Sequence, residues 1–540
     1  MQSNLIVQLA SQYIHSSLGG WAAASLAIEN EIPLNVLDLN INQPMEKLFA
    51  QIASYKPTCL GFSCYIWNIE WVLKLANGIH ALFPNCFIFL GGPEVQGRQM
   101  ELIKEPFISA IITGEGEEAI LALLSNVPLS EINGLHYKEK NEIIHTPKRK
   151  QDTIPSPYCS AFFEQLQGRI AYIETTRGCP FSCTFCLSGK EKGLTILPLS
   201  IAIERIDQLA CSGSQTIKFV DRTFNAHKTH SRGLWKYLID NYEKYKDKRF
   251  HFEIAADLLQ EEDFNLLQQV PNDYFQMEAG IQSFNEFTLS ACKRKMNSEK
   301  LYNCLSRLIA LKTIPIHIDL IAGLPYEDYN SFLVSFDKAY SLHADQLQLG
   351  FLKLLYDCAL KDESDLHGYI ASPYPPYEIM QNNVLSFDDL LKLKDMATIV
   401  DVLSNHGRFT NTLTSLFKQT GLCPSKLFLR LSTVAMPLFA QRKSHSDFIL
   451  GLLTILPKAL QIDEIILRDA LLLDELTHSK QGALPKALQK DDERLPLLKK
   501  QNKQDGTLVR VGIMYQYQPN KAVVVKHFPE KPPEIKLSSL

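Results

Sequence analysis

Three cysteines, Cys179, Cys183 and Cys186, fall within eight residues in Thr176-Arg177-Gly178-Cys179-Pro180-Phe181-Ser182-Cys183-Thr184-Phe185-Cys186, directly after the strand-like run Ile170–Thr175. No other feature limits the fold as tightly. Thiolates are the usual ligands of iron–sulfur clusters, and three from one loop leave one iron of a four-iron cluster without a protein ligand. That iron is then free to chelate a substrate group. A structural zinc site is the rival reading, but it needs a fourth ligand, and no CxxC partner pair exists elsewhere in the chain. The third reading is three unrelated buried cysteines. The twelve cysteines are otherwise irregularly spaced, which argues against a disulfide framework and for reduced thiols. The N-terminal run Met1 to Ala10 lacks the basic region and cleavage site of a signal peptide, and no stretch is long and apolar enough to span a bilayer. The expectation is a cytoplasmic protein with no membrane partner.

A chain of 540 residues exceeds one ordinary core, so two or three domains are expected. In residues 1–145 short apolar runs (Leu5–Leu9, Leu34–Leu37, Cys59–Ser63, Cys86–Leu90, Ile108–Ile112) alternate with helical stretches, which predicts a doubly wound α/β domain. A polar, proline-bearing linker follows, beginning near Ile144 and assigned to residues 146–165. Residues 166–365 repeat the strand-then-helix alternation with candidates Ile170–Thr175, Thr216–Val220, Phe250–Ala255, Phe275–Ala279, Ile316–Ile321 and Gln346–Leu352, a partial (β/α)6 barrel. Residues 366–540 read as a mostly helical domain, Ser386 to Thr477 above all, ending in a β-hairpin of Leu508–Tyr517 and Ala522–His527. Cys159, Cys211, Cys292, Cys304 and Cys423 are expected as small core residues. A net charge of −4 and a pI near 6.4 provide no basic field, so nucleic acid is not favoured as a partner.

The spacing CxxxCxxC, with an aromatic before the last cysteine, resembles the signature of the radical S-adenosylmethionine (SAM) superfamily. The resemblance implies that Cys179, Cys183 and Cys186 hold a [4Fe-4S] cluster, whose open iron binds the SAM amino and carboxylate groups. Electron transfer from the cluster then cleaves SAM to a 5′-deoxyadenosyl radical. Further elements resemble the branch that includes oxygen-independent coproporphyrinogen dehydrogenase: Glu253 in Phe252-Glu253-Ile254, Gly280-Ile281-Gln282-Ser283-Phe284, Arg294, and Asp319-Leu320-Ile321-Ala322-Gly323-Leu324-Pro325. By that resemblance Phe185, Glu253, Gln282, Arg294, Asp319 and Gly323 surround SAM, with Glu253 on the ribose and Arg294 on the carboxylate. Asp221 in Val220-Asp221-Arg222 is a further candidate, near the SAM amine.

An open α/β domain ahead of such a barrel resembles the cobalamin-binding subclass. Glycines at strand ends admit a flat ligand to the backbone. The matching positions are Ser63 in Gly61-Phe62-Ser63, Gly91 and Gly92 in Leu90-Gly91-Gly92-Pro93, and Glu115 in Thr113-Gly114-Glu115-Gly116. The alternative is a set of ordinary βα turns. His15 occupies the place of the histidine in an Asp-x-His-x-x-Gly loop whose Asp and Gly are missing here. It is the candidate cobalt ligand, or else a loop residue near the corrin. The resemblance implies a cobalamin-dependent radical SAM methyltransferase acting on an unactivated carbon of a small, natural-product-like molecule. It also implies an electron donor of the flavodoxin or ferredoxin type. Cyclisation or oxidation with the same cofactors is the alternative within enzymes, and a cobalamin-sensing protein with a vestigial barrel is the alternative outside them.

Overall fold

The computed structural model describes residues 3–140, 142–190, 193–440, 444–479, 482–490, 492–503, 507–515, 521–528 and 532–539. β1 (Asn4–Ala10), β2 (Asn35–Asn40), β3 (Cys59–Ser63), β4 (Phe87–Gly91) and β5 (Ala110–Ile112) pair in parallel in the order β2-β1-β3-β4-β5. Every residue of β1 is buried, as a central parallel strand covered on both faces requires. The sheet continues past these strands. β6 (Leu135–Glu139) and β7 (Glu142–His145) add an antiparallel hairpin along β5. Ile144 therefore belongs to a strand and not to a linker; the charged residues Lys138, Glu139 and Glu142 give this edge hairpin a loop-like composition. Residues 146–159 carry no regular structure, yet they are fastened. The Gln151 amide donates to Glu115 Oε2 at 2.5 Å, and the carbonyl of buried Ile154 accepts from Arg205 Nη2 at 2.6 Å.

The second sheet is the six-stranded parallel partial barrel that the alternation predicts. β8 (Ala171–Ile173) is followed by a small antiparallel hairpin of β9 (Thr176–Gly178) and β10 (Leu194–Ile196). Then come β11 (Thr216–Phe219), β12 (Arg249–Ile254), β13 (Phe275–Gln282), β14 (Ile316–Ala322) and β15 (Gln346–Phe351), in the order β15-β14-β13-β12-β11-β8. The first barrel strand is shorter than Ile170–Thr175, because the Thr175 and Thr176 amides turn away to the Asp221 carboxylate. Along β13 and β14 buried and half-buried residues alternate. Phe275, Met277, Ala279, Ile316 and Ile318 join the large core, while Glu278, Gln282 and Asp319 face a cavity.

The N-terminal sheet is stitched to the barrel at its first strand. Ile170 N donates to Ile14 O (2.8 Å), Ser16 Oγ to Ile170 O (2.8 Å), and Arg169 pairs with buried Asp38 (3.3 Å). On the other side Tyr377 and Arg98 both donate to the buried Glu94 carboxylate, joining the turn after β4 to the segment beyond the barrel. That segment contains β16 (Ile370–Ala371) and β17 (Ile379–Gln381) and leads into five helices, Phe387–Leu403, Thr410–Thr420, Pro424–Ala440, His445–Leu460 and Glu464–His478. The chain closes on β18 (Leu508–Ile513), β19 (Lys521–His527) and β20 (Glu534–Ser539), all antiparallel. The terminal hairpin is thus a three-stranded sheet, and its expected turn at Gln518-Pro519-Asn520 lies outside the described residues. All twelve cysteines are free. Cys292 and Cys304 are core residues as expected and Cys159 is half-buried; Cys211 and Cys423 are exposed, because each sits at a helix boundary. Among the described residues no helix is long and apolar enough to cross a membrane.

Candidate functional site

The cysteine loop rims a cavity of about 210 Å³ at the C-terminal ends of the barrel strands. Cys179, Cys183 and Cys186 all line it, together with Phe185 from the same loop. The middle of the loop is pinned from both sides: Thr184 N donates to Cys292 O (2.9 Å), and Leu360 N donates to Thr184 O (2.8 Å). Burial pushes the Cys183 thiol up; Arg294, whose Nη1 lies 3.7 Å from the sulfur, pulls the other way.

The far wall comes from the strand ends, where Glu253, Gln282, Arg294 and Asp319 converge as the sequence motifs imply. Gln282 follows a register shift between β13 and β14 and has φ +71°. Its amide folds onto Gly280, where a Cβ would meet Gln282 Nε2 at 2.1 Å, so a side chain at 280 would displace that amide. Arg294 Nη2 donates to Gly280 O. Two polar atoms of this wall, Gln282 Oε1 and Arg294 Nε, are buried without a partner, so an amide oxygen and a guanidinium nitrogen are left for a ligand to satisfy. An amino acid-bearing nucleoside with hydroxyls and a carboxylate fits that donor and acceptor set.

Below this wall the lumen carries a charge network that sequence inspection missed. Lys218 Nζ lies 3.5 Å from Glu253 and 3.6 Å from Glu278, His251 Nε2 lies 3.2 Å from Glu278, and His317 Nε2 lies 3.2 Å from Asp319. The His251 contact, with Lys218 and His317 behind it, holds Glu278 down to about 2, whereas burial raises Glu253 against the pull of Lys218. Glu278, His317 and Asp319 bring their ligand atoms within 4.8 Å of one another. Lys218 already supplies positive charge beside Glu278, so an ion-pair network accounts for them.

Two expectations change. Asp221 does not face the cavity: it is fully buried and accepts from Thr175 N (2.7 Å), Thr176 N (2.6 Å) and Thr175 Oγ1 (2.7 Å). Burial raises its carboxyl to about 7 against those three hydrogen bonds. It is a clamp for the turn into the cysteine loop and is not placed to meet a SAM amine. Asp221→Ala strands two backbone amides and should cost about 3 kcal/mol; an unchanged urea midpoint contradicts the clamp. Gly323 also stands off the cavity. Its carbonyl accepts from Tyr369 Oη (2.9 Å), and with φ +97° it packs under Ile379.

A second cavity, of about 690 Å³, lies between the N-terminal sheet and the barrel. His15 lines it; Ser63, Gly91, Gly92 and Glu115, expected beside the ligand, are not among its lining residues. Gly92 has φ +111°, and a Cβ there would come 2.6 Å from Cys64 O, so close packing accounts for that glycine. Glu115 instead fastens Gln151. His15 Nδ1 lies 2.7 Å from Tyr172 Oη, and burial, with Lys218 and Arg169 nearby, lowers its pKa. Both effects favour the neutral imidazole, and the tyrosine holds its Nδ1. Residues not anticipated complete the wall. Tyr65 and Trp67 stack at 4.4 Å with an 8° interplanar angle, Trp67 remaining exposed, and the buried Arg205 Nε has no partner. Two aromatics two residues apart just after a strand end were the legible signal. A stacked aromatic plate with an unsatisfied donor in the same cavity suits a large flat ligand bearing amide side chains.

Three family models match successive parts of the chain: the B12 binding domain over residues 6–124, the Radical SAM superfamily over 173–339, and a protein of unknown function (DUF4080) over 365–532. The cobalamin-dependent radical SAM methyltransferase TokK of Streptomyces tokunonensis is 26% identical over 310 residues, which are 51% of this chain and 44% of the relative. The match thus spans less than half the length of that relative. The structure of the radical SAM methyltransferase TsrM from Kitasatospora setae superposes with a TM-score of 0.56 at 16% identity, covering 71% of this chain and 80% of TsrM. The cobalamin-dependent SAM radical enzyme OxsB superposes with a TM-score of 0.54 at 16% identity, covering 92% and 74%. Both share the fold. With a B12 binding domain ahead of a radical SAM domain, and therefore cobalamin, SAM and a [4Fe-4S] cluster as cofactors, the chain belongs to the B12-binding radical SAM enzymes.

Proposed function

We propose that this radical SAM enzyme is a methyltransferase acting on an unactivated carbon of a small molecule. The observation that carries the reading is the junction of the two cavities, which share Ser188, Arg222 and Glu253 as walls. A substrate at that junction touches both cofactor sites, and holding reacting groups within attack distance is what methyl transfer to carbon demands. The cluster with SAM supplies a 5′-deoxyadenosyl radical and cobalamin supplies a methyl group. The relative TokK, a methyltransferase by name, points the same way.

In this reading Cys179, Cys183 and Cys186 bind the cluster, with Phe185 presenting its backbone towards the adenine. Glu253 and Gln282 accept the ribose hydroxyls, Arg294 takes the SAM carboxylate, Asp319 lies alongside, and Gly323 shapes the strand end behind them. Tyr65 and Trp67 support the corrin, and Ser63, Gly91, Gly92 and Glu115 order the loops beneath it. Tyr172 orients His15 so that its free nitrogen meets the cobalt; an oriented neutral imidazole is the form that ligates. His15→Ala then changes the visible spectrum of bound cobalamin. An electron carrier of the flavodoxin or ferredoxin class reduces the cluster.

Glu253→Ala and Arg294→Ala should each weaken SAM binding roughly tenfold, the size of one charge-assisted hydrogen bond, with iron content unchanged. Unaltered affinity in both removes the assignment. The function itself is tested by anaerobic turnover of a metabolite extract with trideuteromethyl SAM. A product carrying the label supports it; 5′-deoxyadenosine formation without any labelled product contradicts it.

A further inference from the structure

The two cavities meet at a cationic side chain, Arg222. Each carboxylate of the walls already has a basic side chain in contact: Lys218 is shared by Glu253 and Glu278, Arg177 reaches Glu174 and Glu117 at 2.7 and 2.8 Å, and His317 reaches Asp319. Arg222 pairs with none of them. It is exposed, it lines both cavities, and its guanidinium makes no hydrogen bond or ion pair among the described residues, acting on Glu253 and Tyr65 only through its charge.

Nor is it a loose surface arginine. Asp221 on one side is clamped to the Thr175–Thr176 turn, and Thr223 on the other places its Oγ1 3.6 Å from Cys179 Sγ. The backbone at 222 is thereby fixed between the end of β11 and the cysteine loop. A guanidinium presented from a fixed point, with no hydrogen bond or ion pair of its own, is arranged to form a paired hydrogen bond with an incoming oxyanion.

We infer that Arg222 receives an oxyanion of the substrate, a carboxylate or a phosphate, and so sets the substrate class as anionic small molecules. The inference rests on the reading that substrate lies between SAM and the corrin. Arg294 is already committed to the SAM carboxylate in that reading, which leaves Arg222 for the third molecule at the site.

The test uses the reconstituted protein with cluster, SAM and hydroxocobalamin bound, and three probes of like shape: phenylacetate, phenyl phosphate and neutral phenylacetamide. Calorimetry measures the binding of each. Wild type should bind at least one anion roughly tenfold or more tightly than the amide, and the preferred anion tells carboxylate from phosphate. Arg222→Gln should erase that preference and Arg222→Lys should keep part of it. Equal binding of all three probes, no binding of either anion, or a preference surviving in Arg222→Gln overturns the inference. Loss of SAM or cobalamin from Arg222→Gln also overturns it, since the arginine would then serve a cofactor. Probe binding involves no methyl transfer, so this inference and the methyltransferase reading fail by different results.

Discussion

Replacing Cys179, Cys183 and Cys186 together by alanine abolishes cluster assembly: iron and sulfide fall from about four of each per chain to background, and SAM cleavage goes with them. The loop is held by its backbone through Thr184, which bonds to Cys292 O and to Leu360 N, so the variant keeps its fold and far-ultraviolet circular dichroism is unchanged. Cys292 and Cys358 lie close by but are buried in the core and cannot substitute for the missing thiols. Full retention of iron in the triple variant refutes the cluster assignment.

Gly19→Trp empties the second cavity of cobalamin while leaving cluster and SAM in place. Gly19 opens the helix Gly19–Glu29 and lines the 690 Å³ cavity, and a Cβ there meets nothing within 4 Å. An indole at this position therefore fills ligand space without displacing protein. Equilibrium dialysis with hydroxocobalamin should show affinity lower by on the order of a hundredfold, about 2.7 kcal/mol. Gly92 is the poorer position for such a test, because a side chain there strikes the Cys64 backbone. Undiminished binding in Gly19→Trp places cobalamin elsewhere; absence of binding in wild type removes it from the account.

Both sheets were legible because their signal is local: apolar runs punctuated by helices, as in β1, β3 and β4, need no partner to be recognised. The hairpin β6–β7 and the last strand β20 were missed, since Glu534–Ser539 and Lys138–Glu142 are charged, short and at sheet edges. At the site, the motif residues Cys179, Glu253, Gln282, Arg294 and Asp319 do converge on one cavity, because sequence order and strand ends encode that convergence. Asp221 was misread for the opposite reason. Its neighbours in sequence point to the cavity, but its own direction is decided by two unpaired amides at Thr175 and Thr176, distant along the chain. The ion pairs that leave Arg222 without a contact of its own run through Lys218, Arg177 and His317 on separate strands and are visible only in three dimensions.

The measurement that bears most directly on a cobalamin-dependent methyltransferase is the product ratio from SAM alone. The reconstituted protein is incubated without oxygen, with SAM and a low-potential reductant, with and without cobalamin. 5′-Deoxyadenosine is expected in both cases and S-adenosylhomocysteine only when cobalamin is bound. 5′-Deoxyadenosine without cobalamin-dependent S-adenosylhomocysteine contradicts it.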